Sequence, residues 1–136
     1  MIPVEQTRVG SGVGNCFAAC LASILEIPVE DIPDFLNDGD EFLDQLAWFL
    51  FPYGLVYVQV EPDDPIVKRM FLVGQMWHTI EGVSPRGGLH ACVGCNGQIV
   101  HDPHPGGNGL VKVELFGLLC ARMSRPPDGV SNSPRL

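Results

Sequence analysis

Apolar and polar positions alternate along this chain in two different rhythms, one in each half. From Met1 to Asn15 the chain is polar and glycine-rich, with Gly10, Gly12 and Gly14 alternating ahead of the first apolar run, and it is read as an extended loop. From Cys16 to Leu25, Phe17, Cys20, Leu21, Ile24 and Leu25 recur at helical spacing with alanines between them, which predicts a well-buried helix that Pro28 ends. Asn15 sits where an N-cap would. Val29 to Phe35, with Glu30 and Asp31 at its start, predicts a short helical turn, and Asn37 to Asp40 a turn. Glu41 to Phe51 places Phe42, Leu46, Phe49 and Leu50 on one side, a second amphipathic helix that stops at Pro52 and Gly54.

After Gly54 the rhythm changes to that of strands. Leu55 to Val60 and Met70 to Gly74 are predicted strands, and Leu89 to Asp102 is predicted as two strands joined by a tight turn. Val111 to Met123 is apolar without a decisive period and fits either a last strand or a short helix. Helices followed by strands predict an α+β fold, a small antiparallel sheet packed on the N-terminal helix, in one domain over 1–123. The segment 124–136, rich in Pro, Ser and charge, is expected to be a disordered tail.

Composition then narrows the functional classes. With 136 residues, 46% of them apolar and 18% charged, the chain has the balance of a globule that builds its own core. A net charge of −8 with no run of Lys or Arg argues against a nucleic-acid partner. No segment has the roughly 20 apolar residues of a membrane span, and the N-terminus lacks a signal-peptide pattern, so a cytoplasmic location is expected. Five cysteines, an odd number, make a disulfide framework a poor account of them in such a compartment. Cys20 and Cys120, in apolar stretches, are expected core residues. Trp48 and Trp77 are expected in core or edge packing, and His78 has no evident partner.

Cys16 is the thiol with chemistry in its position. At a helix start it faces unpaired N–H groups and the positive end of the dipole, an arrangement expected to lower its pKa and to supply an oxyanion site beside the sulfur. A base and an orienting group are offered downstream by His90 and Asp102. The hairpin between them has two readings. A two-residue Asn96-Gly97 loop would pair Cys95 with Gln98 and send His90 and Asp102 to opposite faces; a three-residue loop from Cys95 to Gly97 would set them directly across from each other. Asn-Gly suits both.

Other residues offer alternatives. Cys92, Cys95, His101 and His104 read as C-x-x-C followed by H-x-x-H, four ligand types for a structural zinc, although strand alternation separates the two cysteines unless the turn begins at Gly94. Arg86, between Pro85 and Gly87-Gly88, is a candidate contact for a substrate carboxylate as well as an ordinary surface arginine. Asn15, beside the thiol, is a second candidate substrate contact.

The order Gln6, Gly14-Asn15-Cys16 opening an apolar helix, Gly88-Leu89-His90-Ala91 starting a strand and Val100-His101-Asp102-Pro103 resembles the papain-like cysteine peptidases. Within them it is most similar to the compact bacterial branch that includes the leader-peptide peptidases of bacteriocin exporters. Where that branch usually carries Asp-Cys-Gly, this chain has Asn15-Cys16-Phe17. The resemblance, spanning Gln6 to Pro105, implies a papain-like fold acting on a peptide or protein without a cofactor. It implies Cys16 as nucleophile, His90 as general base, Asp102 as orienting carboxylate and Gln6 as an oxyanion donor. The segments Ser84-Pro85-Arg86-Gly87-Gly88 and His101 to Gly106 also resemble small uncharacterised proteins of bacteria and phages, which leaves a catalytically silent module acting on a host protein as the rival expectation.

Overall fold

In a computed structural model, residues 1–10, 13–34 and 41–122 are described. The first helix, α1 (Cys16–Leu25), buries eight of its ten residues, Cys16 through Ser23. Its alanines allow this, because Ala18, Ala19 and Ala22 let the backbone approach its neighbours closely while Phe17 and Leu21 fill the space beyond. Ser23 is sealed into the core by donating its hydroxyl to the Ala19 carbonyl at 2.8 Å and accepting the Val4 N–H at 2.9 Å. The helix ends at Glu26, whose left-handed φ of 59° turns its N–H back onto the Ala22 carbonyl, ahead of Pro28. Val29–Asp31 then makes a 3₁₀ turn. The expected helical turn thus covers only the first part of its predicted range, because the chain turns extended at Ile32; Phe35, the turn expected at Asn37 to Asp40 and the tail from Ser124 lie outside the described residues.

Helix α2 (Phe42–Leu50) buries Leu46 and Leu50, with Phe42 and Phe49 partly buried beside them. Trp48 faces the other way and is 77% exposed, contrary to the expected packing role. It stands on the polar side of the helix, one step off the apolar stripe. Next come β1 (Leu55–Val60), α3 (Pro65–Met70), β2 (Trp77–Val83), β3 (Leu89–Cys95), β4 (Gln98–His101) and β5 (Lys112–Ala121). The strands form one sheet in the order β1-β5-β2-β3-β4, antiparallel at every junction. The architecture is therefore α+β, and the ambiguous run from Val111 is a strand.

Two expectations need correction. Met70 to Gly74 is not a strand: Met70 closes α3, and Leu72 and Val73 are more than four-fifths exposed in the turns after it. Asp64 caps α3 by accepting the Ile66 N–H at 2.8 Å, and Pro65 holds its first position, so helix is nucleated where apolar content alone suggested strand. Cys120 is only partly buried, at the border of the second core. The two cores cover opposite faces of the sheet. One joins α1 and α2 to Ala91 and Val93, with Trp77, Tyr57 and Leu119 at its margin; the other joins Val67 of α3 to Ile80, Phe116 and Leu118. Among the described residues no helix is long and apolar enough to cross a membrane.

Candidate functional site

The N-terminal segment is fastened across the end of α1. The Gln6 N–H donates to the Pro103 carbonyl at 2.9 Å and the Ile2 N–H to the Ser23 carbonyl at 3.0 Å. Asn15 completes the fastening. Its Oδ1 accepts the N–H groups of Thr7 and Arg8, and its Nδ2 donates to the Thr7 hydroxyl at 2.8 Å. Asn15 therefore occupies the cap position without a side-chain cap bond. It is not among the residues lining the cavity beside Cys16, and both ends of its side chain are engaged in this fastening. The first amides of α1 are left with no side-chain cap at the point where Cys16 begins the helix.

Cys16, 9% exposed, opens on a cavity of about 470 Å³ that it shares with Gln6, Arg86, His90 and His104. The Gln6 Nε2 donates to the Arg8 carbonyl at 2.7 Å, while its Oε1 is buried and accepts no hydrogen bond from the described residues. A flipped amide would set that oxygen against the Arg8 carbonyl, so the orientation is fixed by chemistry. One Nε2 hydrogen remains after the bond to Arg8.

His90 and Asp102 meet through a register that neither hairpin reading anticipated. The tip is a two-residue loop in which Asn96 and Gly97 both have positive φ, 49° and 84°, as a type I′ turn requires. Cys95 pairs with Gln98 and Gly94 with Ile99, the register expected to part the two side chains. Val100 then adds one residue as a β-bulge, and Val93 pairs with His101. One step further along that register Asp102 lies across from Cys92, on the face that alternation gives to His90. The Nε2 of His90 lies 2.7 Å from Asp102 Oδ1, which makes it the protonated nitrogen and leaves Nδ1 without a hydrogen bond to the described residues. Asp102 also accepts the His104 N–H at 2.9 Å and the Gly109 N–H at 2.8 Å.

The electrostatics follow from burial and these bonds. Burial alone would raise the Asp102 carboxyl, but the His90 ring and the two amides more than offset it, and its pKa lies below the ordinary 3.8. Cys16 goes against the expected direction. Burial pushes its thiol above the ordinary 9.0 and outweighs the backbone groups of Ala91, Phe17 and Cys16 that favour the thiolate, and Glu81 adds to the rise. Desolvation thus exceeds the helix-start effect, and the proton rests on sulfur.

The remaining candidates separate. Cys92, Cys95, His101 and His104 do not form a donor set: Cys92 is fully buried, Cys95 points to the other face by alternation, and His101 Nε2 lies 2.8 Å from the Val4 carbonyl. The group of three donors that does occur among the described residues is His90, Cys92 and Asp102, with donor atoms within 4.8 Å of one another. Two features of this group oppose a metal. Asp102 is already bonded through both oxygens, and burial, followed by the Asp102 charge, pushes the Cys92 thiol up to about 12. Arg86 is exposed at the cavity rim on the turn between β2 and β3.

Some participants escaped the sequence reading. The amides of His104 and Gly109 could be found only in part: Asp-Pro-His is an Asx-turn signal, but the reach back from Gly109 depends on the loop path. Cys92 beside Asp102 depends on the bulge, which leaves no mark in sequence. On β2, Glu81 meets the Tyr57 hydroxyl at 2.9 and 3.2 Å, and burial pushes its carboxyl up to about 7.

No protein-family model, curated protein or solved structure matches this chain.

Proposed function

We propose that this chain is a thiol-dependent hydrolase or acyltransferase of papain-like type, acting on an amide or thioester bond through Cys16, His90 and Asp102. One observation carries the reading. The sulfur at the start of α1 and an imidazole whose far nitrogen is held 2.7 Å from a carboxylate open on the same cavity.

The chemistry assigns each group a step. His90 Nδ1 takes the Cys16 proton as the sulfur attacks the carbonyl carbon; the S–C bond forms and the carbonyl electron pair moves to oxygen. The backbone N–H of Cys16 and the second Nε2 hydrogen of Gln6 receive that oxyanion. On collapse the leaving amine or thiol takes the proton from Nδ1, and water or an amine then releases the acyl group. Asp102 remains ionised and keeps the ring in the Nε2–H tautomer. Because burial keeps the resting sulfur protonated, His90 acts as a base within the step rather than as the partner of a standing ion pair.

The rival, a catalytically silent binding module, draws on that same raised thiol. Iodoacetamide at neutral pH decides between them. Cys16 is expected to be alkylated ahead of the more exposed Cys95 and Cys120 and to lose that lead in His90→Ala; labelling that simply follows exposure in both proteins overturns the enzyme reading.

A further inference from the structure

The protein carries twice as many acidic as basic side chains, 16 against 8, yet no Asp or Glu is among the described residues lining the Cys16 cavity. Its one permanent charge there is the guanidinium of Arg86. The inversion is local, because the carboxylates behind the wall are engaged, Asp102 by His90 and two amides and Glu81 by the Tyr57 hydroxyl.

Arg86 is also presented rather than merely tethered. It sits in a turn closed by Ser84 N–H to the Gly88 carbonyl at 2.9 Å and Gly87 N–H to the Ser84 carbonyl at 3.0 Å. The Ser84 hydroxyl accepts the Arg86 N–H at 3.1 Å from a residue only 4% exposed, so the turn is anchored in the fold. Arg86 forms no ion pair with the described residues, whereas Arg8 pairs with Asp34 at 2.8 Å. Its charge reaches inward as well, since it is among the groups that favour the Cys92 thiolate behind the cavity.

A cation held at a rim, unpaired and with no carboxylate among the described lining residues, is arranged to meet an anion arriving with the substrate. We propose that the site selects acyl substrates carrying a carboxylate, bound by the Arg86 fork beside Cys16. This rests on the thiol reading given above and names its substrate class. A single planar fork matches one carboxylate, whereas a phosphate dianion calls for more positive charge than this lining holds.

A matched pair of alkylating reagents tests the inference in the full chain: 4-(2-iodoacetamido)butanoate and its neutral amide, 4-(2-iodoacetamido)butanamide. In both, the sulfur–carbon bond forms as the carbon–iodine bond breaks, iodide leaves and the thiol proton passes to His90. They differ only in the distal charge. The rate ratio at Cys16, anionic over neutral, is expected to fall about fivefold in Arg86→Gln, to fall less in Arg86→Lys, and to shrink with added salt only in the two proteins that keep a cation at position 86. A ratio that is the same in wild type and Arg86→Gln, with Cys16 still alkylated first, overturns the carboxylate preference alone. Failure of both reagents to single out Cys16 in the wild type overturns the thiol reading and this inference with it.

Discussion

Two buried histidines stand on the same face of the β2–β3 ribbon, and their surroundings give them opposite properties. His78, fully buried, is stacked on Phe71 at 5.1 Å and packed against Phe116 at 4.8 Å. Its Nδ1–H donates to the Thr79 carbonyl at 2.9 Å, and its Nε2 accepts the Gly97 N–H at 3.0 Å. Both nitrogens are used by backbone. His90, which lines the cavity, spends one nitrogen on a carboxylate and leaves the other without a hydrogen bond to the described residues. A ring completed by amides and aromatic faces has no proton to exchange with a ligand; a ring with one oriented and one open nitrogen has. Burial itself does not separate them, since His90 is only 6% exposed.

Exchanging each ring for a methyl group is the severest test of this contrast. His90→Ala is expected to slow iodoacetamide alkylation of Cys16 by at least about 10²-fold, the ordinary worth of a positioned base, and His78→Ala by less than about threefold. Timed alkylation read by peptide mass spectrometry checks both. Asp102→Asn sharpens the comparison by keeping the His90 ring while removing its tautomer control, with a loss on the order of 10-fold to 100-fold. The same carboxylate gives a stability limb. Its folded pKa is depressed, so its contribution is complete above the ordinary 3.8 and is lost as pH falls through the folded value. Asp102→Asn should flatten that limb in acid-dependent urea melts.

For stability the ranking of the two histidines inverts. His78→Ala is expected to cost about 2–4 kcal/mol in urea unfolding, because it empties a packed site and orphans the Gly97 N–H; His90→Ala should cost about 1 kcal/mol. Protonation separates them further. Burial lowers the His78 pKa below 6.5, so the folded protein refuses a proton that the unfolded chain accepts, and stability declines as pH drops through 6.5. Ring-proton NMR should find His78 neutral where an unperturbed histidine is half protonated; a His78 titrating at its ordinary value would undo the contrast. An effect smaller than that of His78→Ala belongs to the turn between β3 and β4. Asn96 holds a left-handed φ of 49° while its side chain accepts the Met76 N–H and donates to the Gly74 carbonyl, so Asn96→Ala should cost about 1–2 kcal/mol by thermal melting.

The parts of this protein that local pattern governs could be read before the fold was known. Helix α1, the apolar stripe of α2, strand β1 and the β3–β4 hairpin all announce themselves through period and turn residues. Strand β2 does not. Its Trp-His-Thr-Ile-Glu-Gly-Val run lies between β5 and β3 at the sheet's centre, and it buries His78 and Thr79 on opposite faces, a placement that apolar alternation cannot signal. Gly94 shows why those polar residues belong together: a side chain there would come within 2.8 Å of the His78 ring, so the ring fits only opposite glycine. At the candidate site the residue types were legible and their convergence was not. The register that joins His90 to Asp102 depends on an extra residue at Val100, and the state of Cys16 depends on how deeply α1 is buried, which only packing decides.

That extra residue acts as a phase shifter for everything after it. Were Val100 drawn into regular pairing with Val93, His101 would lie across from Cys92 and Asp102 across from Ala91, which turns the carboxylate to the far side of the ribbon from His90 while the other strand junctions keep their partners. The centre can therefore be silenced or restored by ironing out or re-forming one bulge at the sheet's edge, without disturbing the scaffold that carries it.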